Sequence, residues 1–373
     1  MAPPRALPEL MAELVEEILL RLPPDDPACL VRASLVCKPW CRILSAPSFH
    51  RRYRAFHRAP PLLGFLHDNH LNTSSGYMPC FVPTIKPCPF PKRAFDDCAG
   101  WSVRDCRHGR VLFCIIPING VNLVVWDPVT GERHRLPEPP VRLCAYNVAV
   151  LCAVRGCNHL DCHGGPFFVV LVGYRNVLRS YLYSSEAGAW NASAELGGLR
   201  YYVASRKSSV LIRDDVYFAI MQKYTILKYN LGKNCLSTIH PPKEYNIRGG
   251  IALMPMEDGS LGIASVVGSK LCLWSRNADP GVDSGWVRFR VIELKHKTPI
   301  PFKHSFSISV VGFAEGLGII FVTTDVGAFT MELKSCQVKK VGKRYEWNNV
   351  YPFISFYTPD CASSILPSLA EAH

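Results

Sequence analysis

Between residues 10 and 22 the apolar side chains recur with helical spacing. Each residue of a helix turns by 100°. Leu10, Met11, Leu14, Val15, Ile18, Leu19 and Leu22 therefore cover about half of the circumference, and Glu9, Glu13, Glu16 and Glu17 take the remainder. A helix packed on one core needs an apolar stripe only somewhat wider than about 100°. The extra width predicts a second apolar surface, which so short a module has little core to provide; a partner protein is the simplest source. Pro8 suits a first helical turn, and Leu22-Pro23-Pro24 ends the helix because proline has no amide and clashes with the preceding turn. Asp26 before Pro27 reads as an N-cap with proline at the first helical position. The next helix carries Leu30, Ala33, Ser34 and Cys37, Lys38-Pro39 marks its boundary, and Trp40, Ile43 and Leu44 make a further short turn before Pro47. Three or four short helices with proline-marked connections are expected.

After about residue 60 the period changes. Short runs rich in Val, Ile, Phe and Tyr lie between Gly, Asn, Asp and Pro turns, at 111–116, 121–126, 167–172, 179–183, 209–212, 216–220, 225–229, 262–267, 270–274, 318–321 and 328–333. No long helical pattern separates them, so the sheets are expected to be antiparallel. The runs also repeat as a strand, a short turn, a second strand ending in a bulky residue, and a polar turn. Trp126, Tyr183, Tyr229, Trp274 and Met331 mark the ends of the second strands, at intervals of 57, 46, 45 and 57 residues. All-β repeats of about 40 to 50 residues are the signature of four-stranded propeller blades, as in kelch and WD40 arrays. About six blades are expected. The longer intervals fit loop insertions at 155–165 and 277–285, and residues 61–99, joined by the strand near 351–357, are expected to close the ring. The recurring aromatics are assigned to packing between blades, not to binding.

The N-terminal residues, as an ordered set, resemble an F-box. Leu7-Pro8, Leu14-Val15-Glu16-Glu17-Ile18-Leu19, Leu22-Pro23, Ser34-Leu35-Val36-Cys37-Lys38, Trp40 and Phe49 carry the resemblance, which is more narrowly to plant F-box proteins, in particular the large grass families. Pro39 before Trp40 departs from the basic or polar residue of many relatives. WDPVTGE, Trp126 to Glu132, is similar to a strand–turn motif of plant F-box-associated propellers. The resemblance implies docking onto a Skp1-type adaptor and, through it, a cullin ubiquitin ligase, with the contacts at Leu7, Pro8, Ile18, Leu19, Leu22, Pro23, Val36, Cys37 and Trp40. The implied organisation is a helical F-box module at 1–58 followed by an F-box-associated antiparallel β-propeller at 59–373.

Composition narrows the remaining classes. Apolar residues make up 48% of the 373 residues, enough for a sizeable core. No run approaches the roughly 18 apolar residues of a membrane span, and MAPPRALPEL has no apolar signal core. Cytosol or nucleus is expected, where the 16 cysteines act mostly as small buried hydrophobes. The net charge of +12 is partly concentrated between Pro27 and His67, which hold no acidic residue but include Arg32, Lys38, Arg42, Arg51, Arg52, Arg54 and Arg58. A solvated helix face and electrostatic help in docking an acidic adaptor both fit; no zinc-finger, basic-zipper or RNP pattern supports nucleic acid.

One run has metal chemistry. Cys152, Cys157, His159, Cys162 and His163 offer soft sulfur and imidazole donors. Their spacing, C-x4-C-x-H-x2-C-H, matches no known finger, and adjacent donors such as Cys162-His163 rarely share one ion. An inter-strand loop with incidental cysteines and no cofactor is expected; were a metal bound, Cys152, Cys157, His159 and Cys162 are the donors. Enzyme motifs (G-x-S-x-G, Walker A, dinucleotide fingerprint, H-E-x-x-H) are missing. The expectation is a non-catalytic adaptor presenting propeller loops, the 277–285 insertion among them, to an unknown target protein. The alternatives are a propeller enzyme or small-ligand binder with a helical cap, favoured by a deep polar central pocket, and an F-box protein acting outside degradation.

Overall fold

The computed structural model describes residues 11–70, 76–85, 95–115, 120–197, 207–220, 225–242, 251–276, 285–294, 300–304, 308–343 and 349–357. Four short helices come first: α1 (Ala12–Leu19), α2 (Pro27–Ser34), α3 (Lys38–Leu44) and α4 (Pro47–His57). Prolines set three of the starts, because Pro27, Pro39 and Pro47 all lie in first turns, where a missing amide breaks no hydrogen bond. Pro39 thus fits α3 without distortion. Cys37, expected within the second helix, is instead the residue that caps α3. Asp26 occupies the N-cap of α2, but its carboxylate accepts from the Cys29 thiol at 3.1 Å and from Arg32 at 3.3 Å, not from a backbone amide.

The helices give way to a six-bladed antiparallel propeller. β1 (Leu62–His70) and β2 (Tyr77–Pro83) form a hairpin, and five four-stranded blades follow in chain order. Blade 1 holds β3 (Trp101–Arg107), β4 (Arg110–Ile115), β5 (Asn122–Trp126) and β6 (Arg133–Arg135). Blade 2 holds β7 (Ala145–Cys152), β8 (Phe167–Tyr174), β9 (Leu178–Ser184) and β10 (Ala189–Leu196). Blade 3 holds β11 (Val210–Ile212), β12 (Asp215–Ala219), β13 (Ile226–Asn230) and β14 (Cys235–Ile239). Blade 4 holds β15 (Ile251–Pro255), β16 (Leu261–Val267), β17 (Lys270–Arg276) and β18 (Trp286–Glu293). Blade 5 holds β19 (Ser309–Ala314), β20 (Ile319–Thr324), β21 (Gly327–Glu332) and β22 (Val338–Gly342). The last strand, β23 (Tyr351–Ile354), pairs antiparallel with β1, Leu66 opposite Tyr351, and so completes the sixth blade from the two ends of the propeller. Closure by pairing hides strand edges that an open array would expose.

Blade stacking explains why the sequence repeats as it does. Trp126, Tyr183, Tyr229, Trp274 and Met331 all lie on the third strand of a blade, and each is buried in the core shared with the preceding blade. Strands buried on both faces, such as β4 and β5, lose the in–out alternation of a one-sided sheet and read as continuous apolar runs. A sixth core, with Phe65, Val311, Phe321 and Val350, joins blade 5 to the closing blade. The β3–β4 turn needs glycine: Gly109 has φ +75°, and an added Cβ would lie 2.6 Å from the His163 ring. The insertion at 155–165 is the β7–β8 connection. Residues 277–284 of the other insertion lie outside the described residues, as do Leu7 and Pro8. No helix among the described residues is long and apolar enough to cross a membrane.

Candidate docking surface and neighbouring sites

On α1 the apolar positions split into two faces. Val15 and Leu19, one turn apart, point into the small core of the helices with Leu30, Leu44, Phe49 and Tyr53. Met11, Leu14 and Ile18 point out; Met11 is 65% exposed and Ile18 51%. Where α2 ends, Leu35 (72%) and Val36 (63%) are also exposed. Six of the eleven exposed large apolar side chains described, these five and Phe56, thus sit on the four helices. The exposed apolar side chains are thus concentrated at the helices.

The expected contact residues separate accordingly. Ile18, Pro23, Val36 and Cys37 are exposed, and Leu22 and Trp40 are half-buried against the helical core. Leu19, 1% exposed, packs in that core, because it falls one turn after Val15 on the inward face. Met11, Leu14 and Leu35 are exposed beside these residues, and the width of the apolar arc on α1 points to Met11 and Leu14.

The helices are seated on the propeller by side chains from both units. Phe356, just beyond β23, and Leu160, from the β7–β8 loop, enter the helical core, where the Phe356 ring meets Tyr53 edge-on at 6.1 Å. The Tyr53 hydroxyl donates to the Leu22 carbonyl at 2.8 Å, fixing α4 to the end of α1. The basic run is not uniformly solvated. Arg52 bridges Glu16 and Glu17 at 2.6 and 2.5 Å, and Arg54 pairs with Asp161 of the β7–β8 loop. Lys38, Arg42 and Arg51 stay exposed.

A cavity of about 360 Å³ lies between the helix-to-propeller connection and the channel, lined by Arg58, Arg107, His159, Lys207 and Glu315 among others. Two of its ionisable groups, Arg107 and Glu315, pair with each other. Arg107 donates to both Glu315 oxygens at 3.2 Å and to the Ser209 carbonyl at 2.6 Å. Asp105 accepts from the Ser209 hydroxyl at 3.2 Å and from the Val150 amide at 3.0 Å. The cluster thereby ties blades 1, 2, 3 and 5 across the channel. Burial raises the Asp105 carboxyl to about 6 against the pull of Arg107, and burial lowers Lys207 to about 8 while its ammonium donates to the Val310 carbonyl at 2.7 Å. The sequence clue was the charged run Arg104, Asp105 and Arg107 inside an otherwise apolar strand pattern.

In the β7–β8 loop, the donor atoms of Cys152, Cys157, His159 and Cys162 all lie within 4.8 Å of one another. His163 stands apart, bonded through Nδ1 to Asp127 at 2.8 Å and through Nε2 to Ser355 at 3.1 Å. Asp127 also caps its own turn, accepting from the Val129 and Thr130 amides, which accounts for the Asp-Pro-Val-Thr-Gly motif. Spacing along the chain had argued against a metal; the fold brings the donors together because Cys152 ends β7 and the loop doubles back over it.

Outside the helices, Val287, Phe289 and Val291 of β18, the outer strand of blade 4, are also exposed, but a bulge at Phe289 puts Val287 and Val291 on opposite faces of the strand.

Among solved structures, a chain of the nidogen/laminin complex is similar over 79% of this chain and 100% of its own, at 9% identity and a TM-score of 0.44. A Bacteroides thetaiotaomicron protein of unknown function is similar over 66% of this chain and 61% of its own, at 13% identity and a TM-score of 0.38. No curated protein matches the sequence. Residues 7–52 match the F-box domain, and residues 102–360 match the family described as F-box protein AT5G49610-like, beta-propeller. The chain therefore belongs to the AT5G49610-like family of F-box β-propeller proteins.

Proposed function

We propose that this protein is the substrate-recognition adaptor of a Skp1–cullin–F-box ubiquitin ligase, acting in the cytoplasm or nucleus. Residues 1–58 dock a Skp1-like adaptor, and residues 59–373 hold a target protein. The observation that carries this is the exposed apolar set Met11, Leu14, Ile18, Leu35 and Val36 within the F-box match. Pro23, Cys37, Leu22 and Trp40 border it, and Leu7 and Pro8 join it by the F-box resemblance. The chain supplies no transfer chemistry. Holding a target beside a ubiquitin-charged partner turns a bimolecular encounter into a local one.

Target recognition is proposed for the outer side of blade 4, where the 277–285 insertion precedes β18 and its exposed Val287, Phe289 and Val291. The central cavity favours a second reading, a small-ligand binder. Its Arg107 and Glu315 bond each other, which makes ring closure their better-supported role. The test is affinity purification of the full chain beside an Ile18→Asp/Val36→Asp variant. The variant should lose adaptor and cullin more than tenfold while keeping the target proteins. Retention of the adaptor overturns the proposal.

A further inference from the structure

The β7–β8 loop and the end of β7 gather three thiols and one imidazole, with the donor atoms all within 4.8 Å of one another. Zinc–sulfur bonds of about 2.3 Å and zinc–nitrogen bonds of about 2.05 Å place tetrahedral neighbours about 3.8 Å apart for two sulfurs and about 3.6 Å apart for sulfur and nitrogen. Here the Cys157 and Cys162 sulfurs are 3.7 Å apart, and the Cys162 sulfur is 3.6 Å from His159 Nδ1. A Cys157–Cys162 disulfide needs about 2.05 Å, and it would leave the convergence of Cys152 and His159 unexplained.

The loop backbone is shaped to aim these donors inward. Gly156, just before Cys157, and Gly164, just after Cys162-His163, have φ of +67° and +66°, and His159 itself is left-handed at +59°. The His159 amide donates to the Cys157 sulfur at 3.3 Å, the kind of contact that steadies a thiolate. His108 stacks on the His159 ring at 3.7 Å and 7°, and accepts from the Cys152 amide at 3.3 Å. Arg110 spans the base of the loop, donating to the Cys162 and Gly165 carbonyls.

We propose that Cys152, Cys157, His159 and Cys162 bind one zinc ion, and that the metal stiffens this loop as the strut on which the F-box helices sit. Each thiol gives its proton to solvent on binding, leaving three thiolates and a neutral imidazole, a soft and borderline donor set suited to zinc. All four positions are taken by protein, as in a structural site. The strut role follows from the two residues between His159 and Cys162. Leu160 packs into the helical core and Asp161 pairs with Arg54 of α4, so the ion anchors the stretch that meets the helices.

The test uses the full, untagged chain purified under reducing conditions. Elemental analysis should find one zinc per chain, and a Cys157→Ser/Cys162→Ser variant should lose it more than tenfold. Adding cobalt to metal-stripped protein should produce the visible absorption of a tetrahedral thiolate site, a readout that needs no variant to fold. Chelation should speed trypsin cleavage after the exposed Arg155 at least tenfold, and zinc should reverse this. Zinc below one-tenth per chain with no cobalt spectrum, or a Cys157–Cys162 disulfide in the reduced protein, overturns the site. Unchanged cleavage after metal removal overturns the strut.

Discussion

Replacing Phe356 with alanine tests whether the F-box helices share a core with the propeller. The ring is 2% exposed and lies among Val15, Leu19, Tyr53 and their neighbours, although its backbone belongs to the chain just past β23. Phe→Ala changes in cores cost about 3 to 5 kcal/mol, and loss of the edge-on contact with Tyr53 falls within that sum. Because the helices offer so little other core, the cost should fall on them and leave the ring of blades intact. We expect about 3 kcal/mol of lost stability in the helical transition. Circular dichroism at the helix band should fall at lower urea than the fluorescence of the propeller tryptophans, whereas the two coincide more closely in the parent. Phe356→Leu, which keeps most of the volume, should cost less than about 1.5 kcal/mol. It follows that residues 1–60 alone, which lack Phe356 and Leu160, should dock the adaptor less stably than the whole chain. A helical transition for Phe356→Ala within about 0.5 kcal/mol of the parent, near the noise of surface changes, refutes the shared core.

Two further changes probe the ring. A Cβ at Gly312 of β19 would lie 2.7 Å from the Val350 carbonyl, where blade 5 meets the closing blade. Gly312→Ala should therefore destabilise the propeller by about 1 to 3 kcal/mol, and an unchanged urea midpoint counts against close packing there. His67, on β1, is buried, and burial lowers its pKa to about 4 from an unfolded value near 6.5. Its neutral form is favoured by the fold, so stability is full above about pH 6.5 and falls as pH drops towards 4, by roughly 3 kcal/mol in all. His67→Gln should remove that slope; parallel pH profiles for variant and parent contradict it.

Much of this architecture was legible because its causes are local. Proline positions set the helix starts, and the third-strand residues recur because every blade packs a bulky side chain on its predecessor. Trp126 and Trp274 could be read as structural for that reason alone. Pairing of β1 with β23 was readable only as a requirement for closure, since nothing in either strand names its partner. Leu19 and Ile18 are adjacent on one helix and equally apolar, so only the packed core tells contact from interior. For Cys152, Cys157, His159 and Cys162, separation along the chain does not reveal that the donor atoms converge, because a loop that folds back over a strand end makes its own spacing. The Asp105–Arg107–Glu315 cluster joins residues some two hundred positions apart, which no local pattern records.

The central claim is that the outward apolar face of the F-box helices docks a Skp1-type adaptor. It is tested most directly by titrating purified adaptor into the full chain and into its Ile18→Asp and Leu35→Asp variants, with unfolding followed in parallel. Both side chains are exposed, so the variants should unfold like the parent. Each change puts a charge into an apolar interface and should cost at least about 2 kcal/mol of binding, roughly a thirtyfold rise in Kd. Affinities within threefold of the parent for both variants, with folding intact, contradict the docking surface.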